Sequence, residues 1–277
     1  MRIAITDDIA EFGRRAEPLL RRDPLRHTVL ATLIANYQSA PDNPVDSSQL
    51  LTVHAGDDSV HGVVSRLAGR DIYVSALPED AVDDVVRALA AGTPRPGGVE
   101  GASDIAPVFA SRWGALCGVG YRRAFVNRLY RLDALNVPAV AGSPRRATEA
   151  DTALCARWAH AMRVDAGIGG PGWDAVTVRR RIAAGRWWLW ERDGRPVSLA
   201  AHQIPAHGWV RIGPVYTPPA ERGHGYASAV TAHVAHSLRT RGLGVCLFAD
   251  VDNPTSNKIY RALGFRPAGE YPHYSFG

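Results

Sequence analysis

Lysine is nearly missing from this chain. Of its 277 residues only Lys258 is one, although Lys and Arg together make up 32. That excludes a P-loop, whose Gly-rich turn must end in Gly-Lys-Ser/Thr so that an ammonium reaches the phosphates. Scarce Lys beside abundant Ala, Gly and Arg also suits GC-rich codon usage and a bacterial source. Cysteine is scarce too. Cys117, Cys155 and Cys246 are odd in number, widely spaced and flanked by apolar residues, which suits buried free thiols and not a disulfide set or a zinc site. The longest apolar run, Val29 to Ala35, is interrupted by Thr32 and is far too short to span a bilayer. Met1 to Phe12 carries Asp7, Asp8 and Glu11 and lacks the apolar core of a secretory signal. A cytoplasmic protein without membrane partners is the expectation. An arginine stripe interleaved with aromatics is also missing. The net charge is +5, but the arginines fall in short scattered clusters such as Arg14-Arg15, Arg122-Arg123 and Arg179 to Arg181. Nucleic acid is therefore not an expected partner, whereas a basic surface suits a polyanionic cofactor.

What is present is ordinary globular composition, 46% apolar and 21% charged, with room for one large or two small domains. The most informative stretch runs from Val215 to Ser228. A β-branched, aromatic run, Trp209 to Tyr216, ends at Pro218 and Pro219, and Arg222-Gly223-His224-Gly225 leads into an Ala-rich helical pattern. A strand thus delivers the chain to a glycine-rich turn at a helix N-terminus, where free N–H groups and the positive dipole end hold anions. Arg222 adds a permanent charge suited to phosphate oxygens. A bound pyrophosphate is the chemistry implied. A dinucleotide fingerprint is not dismissed by spacing alone, since Ser228 could be its third small residue and Asp250 or Asp252 its acidic one.

The segment Asn136 to Arg145, small, Pro-containing and non-periodic, reads as a linker over 137–145 between domains at 1–136 and 146–277. The second half predicts helices at Thr148 to Val164 and Val176 to Ala184, with Thr148 and Asp151 as a capping box. Strands follow at Trp187 to Glu191, Pro196 to Ile204 and Trp209 to Tyr216, with a hairpin turn at Asp193-Gly194. A helix at Tyr226 to Arg241, a buried strand at Val245 to Val251, a helix at Asn253 to Leu263 and strand structure over Phe265 to Phe276 complete it. The first half repeats that order more faintly. Its helices fall at Asp7 to Leu20, Pro24 to Tyr37, Ala81 to Ala91 and Asp104 to Gly114. Its strands fall at Leu50 to Ala55, Val60 to Leu67, Asp71 to Leu77, Gly97 to Val99 and Tyr121 to Arg131. After its third strand stands Leu77-Pro78-Glu79-Asp80 in place of Arg222-Gly223-His224-Gly225. Two carboxylates at a helix N-terminus repel phosphate, so the first copy is not expected to bind the cofactor.

Arg222, Gly225 and Ala227 match an Arg/Gln-x-x-Gly-x-Gly/Ala pattern. Downstream, Asn253, Ser256, Tyr260, Gly264 and Phe265 match Asn-x-x-(Ser/Ala)-x-x-x-Tyr-x-x-x-Gly-Phe. Together, with a buried strand between them, they resemble the two motifs of GNAT N-acetyltransferases. The resemblance covers about residues 145–277 by motif and the first half by element order only. It is closest to the FR47-like subgroup. It implies an α/β (α+β) protein of two GNAT-like domains, each a mixed central sheet flanked by helices, the first degenerate. It also implies acetyl-CoA as cosubstrate and direct attack of an amine acceptor on the thioester. The pyrophosphate would sit on Gly223, His224, Gly225, Tyr226, Ala227 and Ser228, with Arg222 beside it. Pantetheine would pair with Val215, Tyr216 and Thr217 in a gap where neighbouring strands splay, and a backbone N–H near Val215 would polarise the acetyl carbonyl. Tyr260 falls where the family keeps its general acid. Asn253 caps its helix, contacts pantetheine, or both; Ser256 and Asn257 either face CoA or solvate the first turn.

A general base is not evident: His202, Glu191, Asp250, Asp252, His273 or a relayed water are the candidates. His233 and His236 share a helix face without a completing carboxylate or Cys, so no metal is expected. Gly167 to Gly172 falls where GNATs often place a substrate loop and serves equally as a connector. A non-catalytic acyl-CoA-binding module stays open as an alternative, a Rossmann-type oxidoreductase is the weaker one, and a homodimer is left open.

Overall fold

The computed structural model describes residues 1–39, 48–92, 96–167 and 172–277. The first elements are β1 (Arg2–Thr6), α1 (Ile9–Arg22), α2 (Thr28–Gln38), β2 (Gln49–His54), β3 (Val60–Arg66) and β4 (Ile72–Ala76). Next come α3 (Val82–Ala90), β5 (Gly98–Gly101), α4 (Ala106–Cys117) and β6 (Tyr121–Leu132). The chain continues through β7 (Ser143–Arg146), α5 (Thr152–Asp165), α6 (Ala175–Ala183), β8 (Trp187–Arg192), β9 (Arg195–His202) and β10 (Trp209–Tyr216). It closes with α7 (Tyr226–Arg239), β11 (Gly244–Asp250), α8 (Pro254–Ala262) and β12 (Phe265–Phe276).

Two compact units result. One comprises Met1–Leu129, Ala249–Asn253 and Ala268–Gly277, and the other comprises Tyr130–Phe248 and Pro254–Pro267. The division falls inside β6, β11 and β12, so it does not follow chain order alone. In the first unit the strand order is β1-β2-β3-β4-β5-β12, antiparallel except for the parallel pair β4 and β5. Its core gathers Phe12, Ala16 and Leu20 of α1 with Val63, Val64, Val74, Val85 and Leu89, all sealed from solvent. Asp8 starts α1 by accepting hydrogen bonds from the N–H groups of Ala10 and Glu11, which satisfies two of the four donors a helix start leaves open.

The second unit has the order β6-β11-β10-β9-β8-β7, with β10 and β11 parallel and β7 to β10 antiparallel. Side chains alternate across this sheet. Trp187, Leu189, Leu199, Ala201 and Tyr216 point to one face, against Cys155 and Ala159 of α5 and Val178 and Ile182 of α6. Trp188 points the other way and meets His233 of α7 edge-on, with ring centroids 4.5 Å apart. The unit is therefore a mixed sheet with helices on both faces. The Asp193-Gly194 hairpin forms as its sequence predicts, both residues lying at positive φ (49° and 73°).

Three elements differ from the sequence expectation. β1 has too few residues to show a period, and pairing with β2 alone makes it a strand. α2 starts at Thr28, four residues after Pro24. The edge strand β7, Ser143–Arg146, takes in the last three residues of the expected linker; the flanking Gly142 and the internal Pro144 read as loop, and Pro is tolerated at a sheet edge. None of the three cysteines is in a disulfide; Cys155 and Cys246 are buried and Cys117 is half-buried.

β7 is anchored electrostatically. Arg145 grips Asp151 through two hydrogen bonds (2.6 and 2.9 Å) and Glu191 of β8 through a third (2.7 Å). Asp151 also accepts from the N–H of Thr148, closing the expected capping box. Those bonds, the Arg145 one first, hold the Asp151 carboxyl at about 2 against an ordinary 3.8. A depressed acid stabilises the fold above its unfolded value and loses that contribution as pH falls through the folded one. Asp151→Asn is thus expected to cost about 1–2 kcal/mol at neutral pH after solvent screening. Urea unfolding of the two proteins should converge as pH drops from about 4 to about 2.

Candidate functional site

β10 organises the site. Its side chains alternate between half-buried and buried along its whole length. Ile212 pairs with His202 of β9; then the register shifts, and Val215 and Tyr216 pair with Ala200 and Leu199. On its other edge the ladder to β11 joins Trp209–Ile212 to Gly244–Leu247 and ends there. From Gly213 onward the strand stays with β9 and parts from β11. A bulge that twists one strand away from a neighbour leaves a cleft with backbone donors and acceptors on its wall. Ser198 secures the end of β10 from behind, donating to the Tyr216 carbonyl (3.0 Å) and meeting the Thr217 hydroxyl (2.8 Å).

The chain then turns through Pro219–Glu221 into Arg222 and α7. Gly223 (φ +86°) and Gly225 (φ +81°) both occupy the left-handed region that glycine alone enters without strain. Gly225 is the N-cap of α7 and offers no side chain to close the helix, so the first-turn N–H groups of Tyr226, Ala227 and Ser228 face outward without a cap. His224 is exposed and stacks on the Tyr226 ring at 5.3 Å. Arg222 is tethered: its Nε donates to the Thr217 carbonyl (3.0 Å), its Nη2 pairs with Asp165, and its guanidinium lies 5.8 Å from the Tyr216 ring centroid. An incoming phosphate would have to compete with Asp165 for this arginine.

The corresponding turn of the first unit is different in kind. Glu79–Ala81 forms a single 3₁₀ turn, and α3 opens with Asp83 and Asp84 and has no left-handed glycine before it. Four carboxylates there make the helix start hostile to anions.

The Acetyltransferase (GNAT) family model matches residues 160–265, from the middle of α5 to Phe265. The match covers less than half of the chain, and over these residues the chain is similar to that family. Over 59 residues the chain is 34% identical to the uncharacterized protein YkzC of Bacillus subtilis; the match covers 21% of this chain and 42% of YkzC, less than half of that relative's length. Among solved structures, a GNAT-family acetyltransferase from Colwellia psychrerythraea is similar with a TM-score of 0.62 at 12% identity, each chain covered in full. A tandem GNAT protein from the clavulanic acid biosynthesis pathway is similar with a TM-score of 0.59 at 13% identity, over 99% of this chain and 98% of that one. At such identities the likeness is one of fold, and it is the GNAT fold over the whole chain.

Within the second unit, Tyr260 of α8 is buried, its ring 6.4 Å from that of Tyr130 and 6.0 Å from that of Phe265. Burial pushes its phenol up to about 12, so the group stays protonated throughout the neutral range. One turn earlier, Asn257 is buried and accepts a 2.6 Å hydrogen bond from the Tyr130 hydroxyl, which ties α8 to the end of β6. Its burial takes it out of a solvated first turn. Ser256 is half-buried. Asn253 is exposed, donates its N–H to the Asp250 carbonyl (3.1 Å) and immediately precedes Pro254; it is assigned to the first unit.

The base candidates separate clearly. His202 is buried with Nδ1 on the Gln203 carbonyl (2.8 Å), and burial brings its imidazole down to about 4, so it is neutral but walled in. Glu191 is held by Arg145. His273 lies in the first unit, 2.7 Å from Asp71 and stacked on Phe125. The substrate-loop segment 168–171 lies outside the described residues. Among the described residues no group of three or more His, Cys, Asp or Glu is arranged for a metal, and no helix is long and apolar enough to cross a membrane.

Two features escaped the motifs: the Tyr130–Asn257 bond, whose partners lie 127 positions apart, and a set of arginines, Arg181, Arg186 and Arg211, beneath the sheet end. No spacing rule announces either.

Proposed function

We propose that the chain is an acetyl-CoA-dependent N-acetyltransferase acting through its second unit, with a first unit that takes no CoA. The observation that carries this is the parting of β10 from β11 at Gly213, immediately before the uncapped glycine turn of α7. A strand-like cleft opening onto an anion cradle fits a pantetheine arm with a pyrophosphate at its end. In this proposal the N–H groups over 223–228 and Arg222 hold the pyrophosphate, while Val215, Tyr216 and Thr217 line the arm. A backbone N–H near Val215 receives the negative charge that develops on the acetyl oxygen as a neutral amine attacks. Tyr260 gives its proton to the departing thiolate, and Ser256 stands where the family motif places a contact to the same arm. The chemistry needs no metal. Cytoplasmic location and a bacterial source fit the composition.

A second reading is favoured by one observation. In the second unit, the two base candidates His202 and Glu191 are both occupied by structural partners, which suits an acyl-CoA-binding module without transfer. Calorimetry with acetyl-CoA and a thiol-release assay over an amine panel separate the two. Acetyl-CoA is expected to bind at micromolar levels, with thiol release dependent on an amine. Binding with only slow thioester hydrolysis would establish the module, and no binding would overturn both.

A further inference from the structure

Of the three arginines, Arg181 and Arg186 lie where a charge is hardest to keep. Arg181 and Arg186 are 8% and 9% exposed. The backbone brings them together with Arg211 around the end of β9. The Arg186 N–H donates to the Arg181 carbonyl (3.1 Å), the Arg186 carbonyl accepts from His202 (2.9 Å), and the Arg211 carbonyl accepts from Gln203 (2.8 Å). Arg211 stands on β10 two residues before Gly213, at the fork where the cleft opens. Its guanidinium lies 5.8 Å from the Phe248 ring centroid.

Among the described residues, the buried donors Nη1 of Arg181 and Nε1 of Trp187 meet no acceptor. Both side chains touch the same ring, Arg181 lying 4.6 Å over Trp173 and Trp187 meeting Trp173 edge-on at 5.7 Å. The charged groups that act on Arg181 are arginines, Arg186, Arg180 and Arg211. Burial and these neighbours bring Arg181 down to about 10, which still leaves it charged at neutral pH. A buried guanidinium with an open N–H is retained at a cost unless an anion completes it. An arginine fork stacked on an aromatic ring is preorganised for a bidentate oxyanion.

We propose that Arg181, with the Trp187 indole N–H beside it and Arg186 and Arg211 supplying the field, binds the carboxylate or phosphate group of an anionic acceptor amine. Resting on the acetyl-transfer reading, this assigns the acceptor class: an amine carrying a second, negatively charged end, which Arg181 holds while the amine reaches the fork of β10 and β11. Neutral amines would leave the open Arg181 N–H without an acceptor and would be poor acceptors.

The test follows the Trp187 indole resonance by proton–nitrogen correlation, assigned with Trp187→Phe. Inorganic phosphate and acetate are titrated separately at constant ionic strength, with CoA present to occupy the α7 turn. A saturable shift with at least one anion is expected, the tighter of the two distinguishing a phosphorylated from a carboxylated amine. Arg181→Gln should weaken that binding tenfold or more while CoA affinity stays within twofold. Arg181→Lys, which keeps the charge and loses the fork, should weaken it threefold or more. No saturable shift with either anion, or less than a tenfold loss in Arg181→Gln, would overturn the assignment. Failure of CoA to bind would instead remove the acetyl-transfer reading, and the Trp187 resonance would still report on the arginines.

Discussion

Gly225→Glu is expected to weaken acetyl-CoA binding by at least about 100-fold. At φ +81° any L side chain sits in the left-handed region, at about 1–2 kcal/mol. A Cβ there would come within 3.1 Å of a Val140 methyl, so Val140 must also give way. The larger effect is charge. A carboxylate about 4 Å from the pyrophosphate adds roughly 4 kcal/mol of repulsion at a surface-like effective dielectric of ~20. The same carboxylate is favourable for the helix itself, by about 0.3–1 kcal/mol at its N-terminus, so α7 should stay folded. Gly225→Ala separates the contributions: it carries the steric penalty without the charge and should lose less than about tenfold. Calorimetry decides, and Gly225→Glu binding within tenfold of the wild type would remove the pyrophosphate from this turn.

Tyr260→Phe should have the second large effect, on a different quantity. The hydroxyl is the only group removed, and the ring contacts with Tyr130 and Phe265 remain. If the phenol protonates the leaving thiolate, kcat falls by about 10²-fold or more, the typical contribution of a positioned acid. The Kd for acetyl-CoA should stay within about twofold. A phenol at about 12 gives no ionisation limb below pH 10, so the wild-type pH profile should rise with amine deprotonation and show no fall from Tyr260 in the accessible range. Equal loss of affinity and turnover would make Tyr260 a packing residue of α8.

Local chemistry made much of this legible in the sequence. The turn at 222–225, the Thr148–Asp151 box and the Asp193-Gly194 hairpin each depend on a few adjacent residues whose conformational preferences decide the outcome alone. The acidic replacement at 79–80 was legible for the same reason. Features built by distant segments were not. Ser143–Arg146 becomes a strand because β8 offers it an edge. Asn257 is buried because a tyrosine far upstream bonds to it, and a polar residue in a first helical turn carries no mark of that partner. Arg181 and Arg186 gave no signal because Arg usually reads as surface, and it is the packing of the second unit that buries them.

Residues 268–277 complete the sheet of the first unit, where Gly98–Glu100 pairs with His273–Ser275. During synthesis the first unit must therefore wait. About 148 residues separate Leu129 from Gly277 (277 − 129), and at ~5–20 residues per second that is a delay of roughly 7–30 s. Throughout that interval β5 offers an unpaired edge to solvent, to chaperones and to other nascent chains. An early stop or frameshift after position 267 would spare the residues proposed to hold CoA and strike the other unit, leaving the unit synthesised earlier as the one that never finishes.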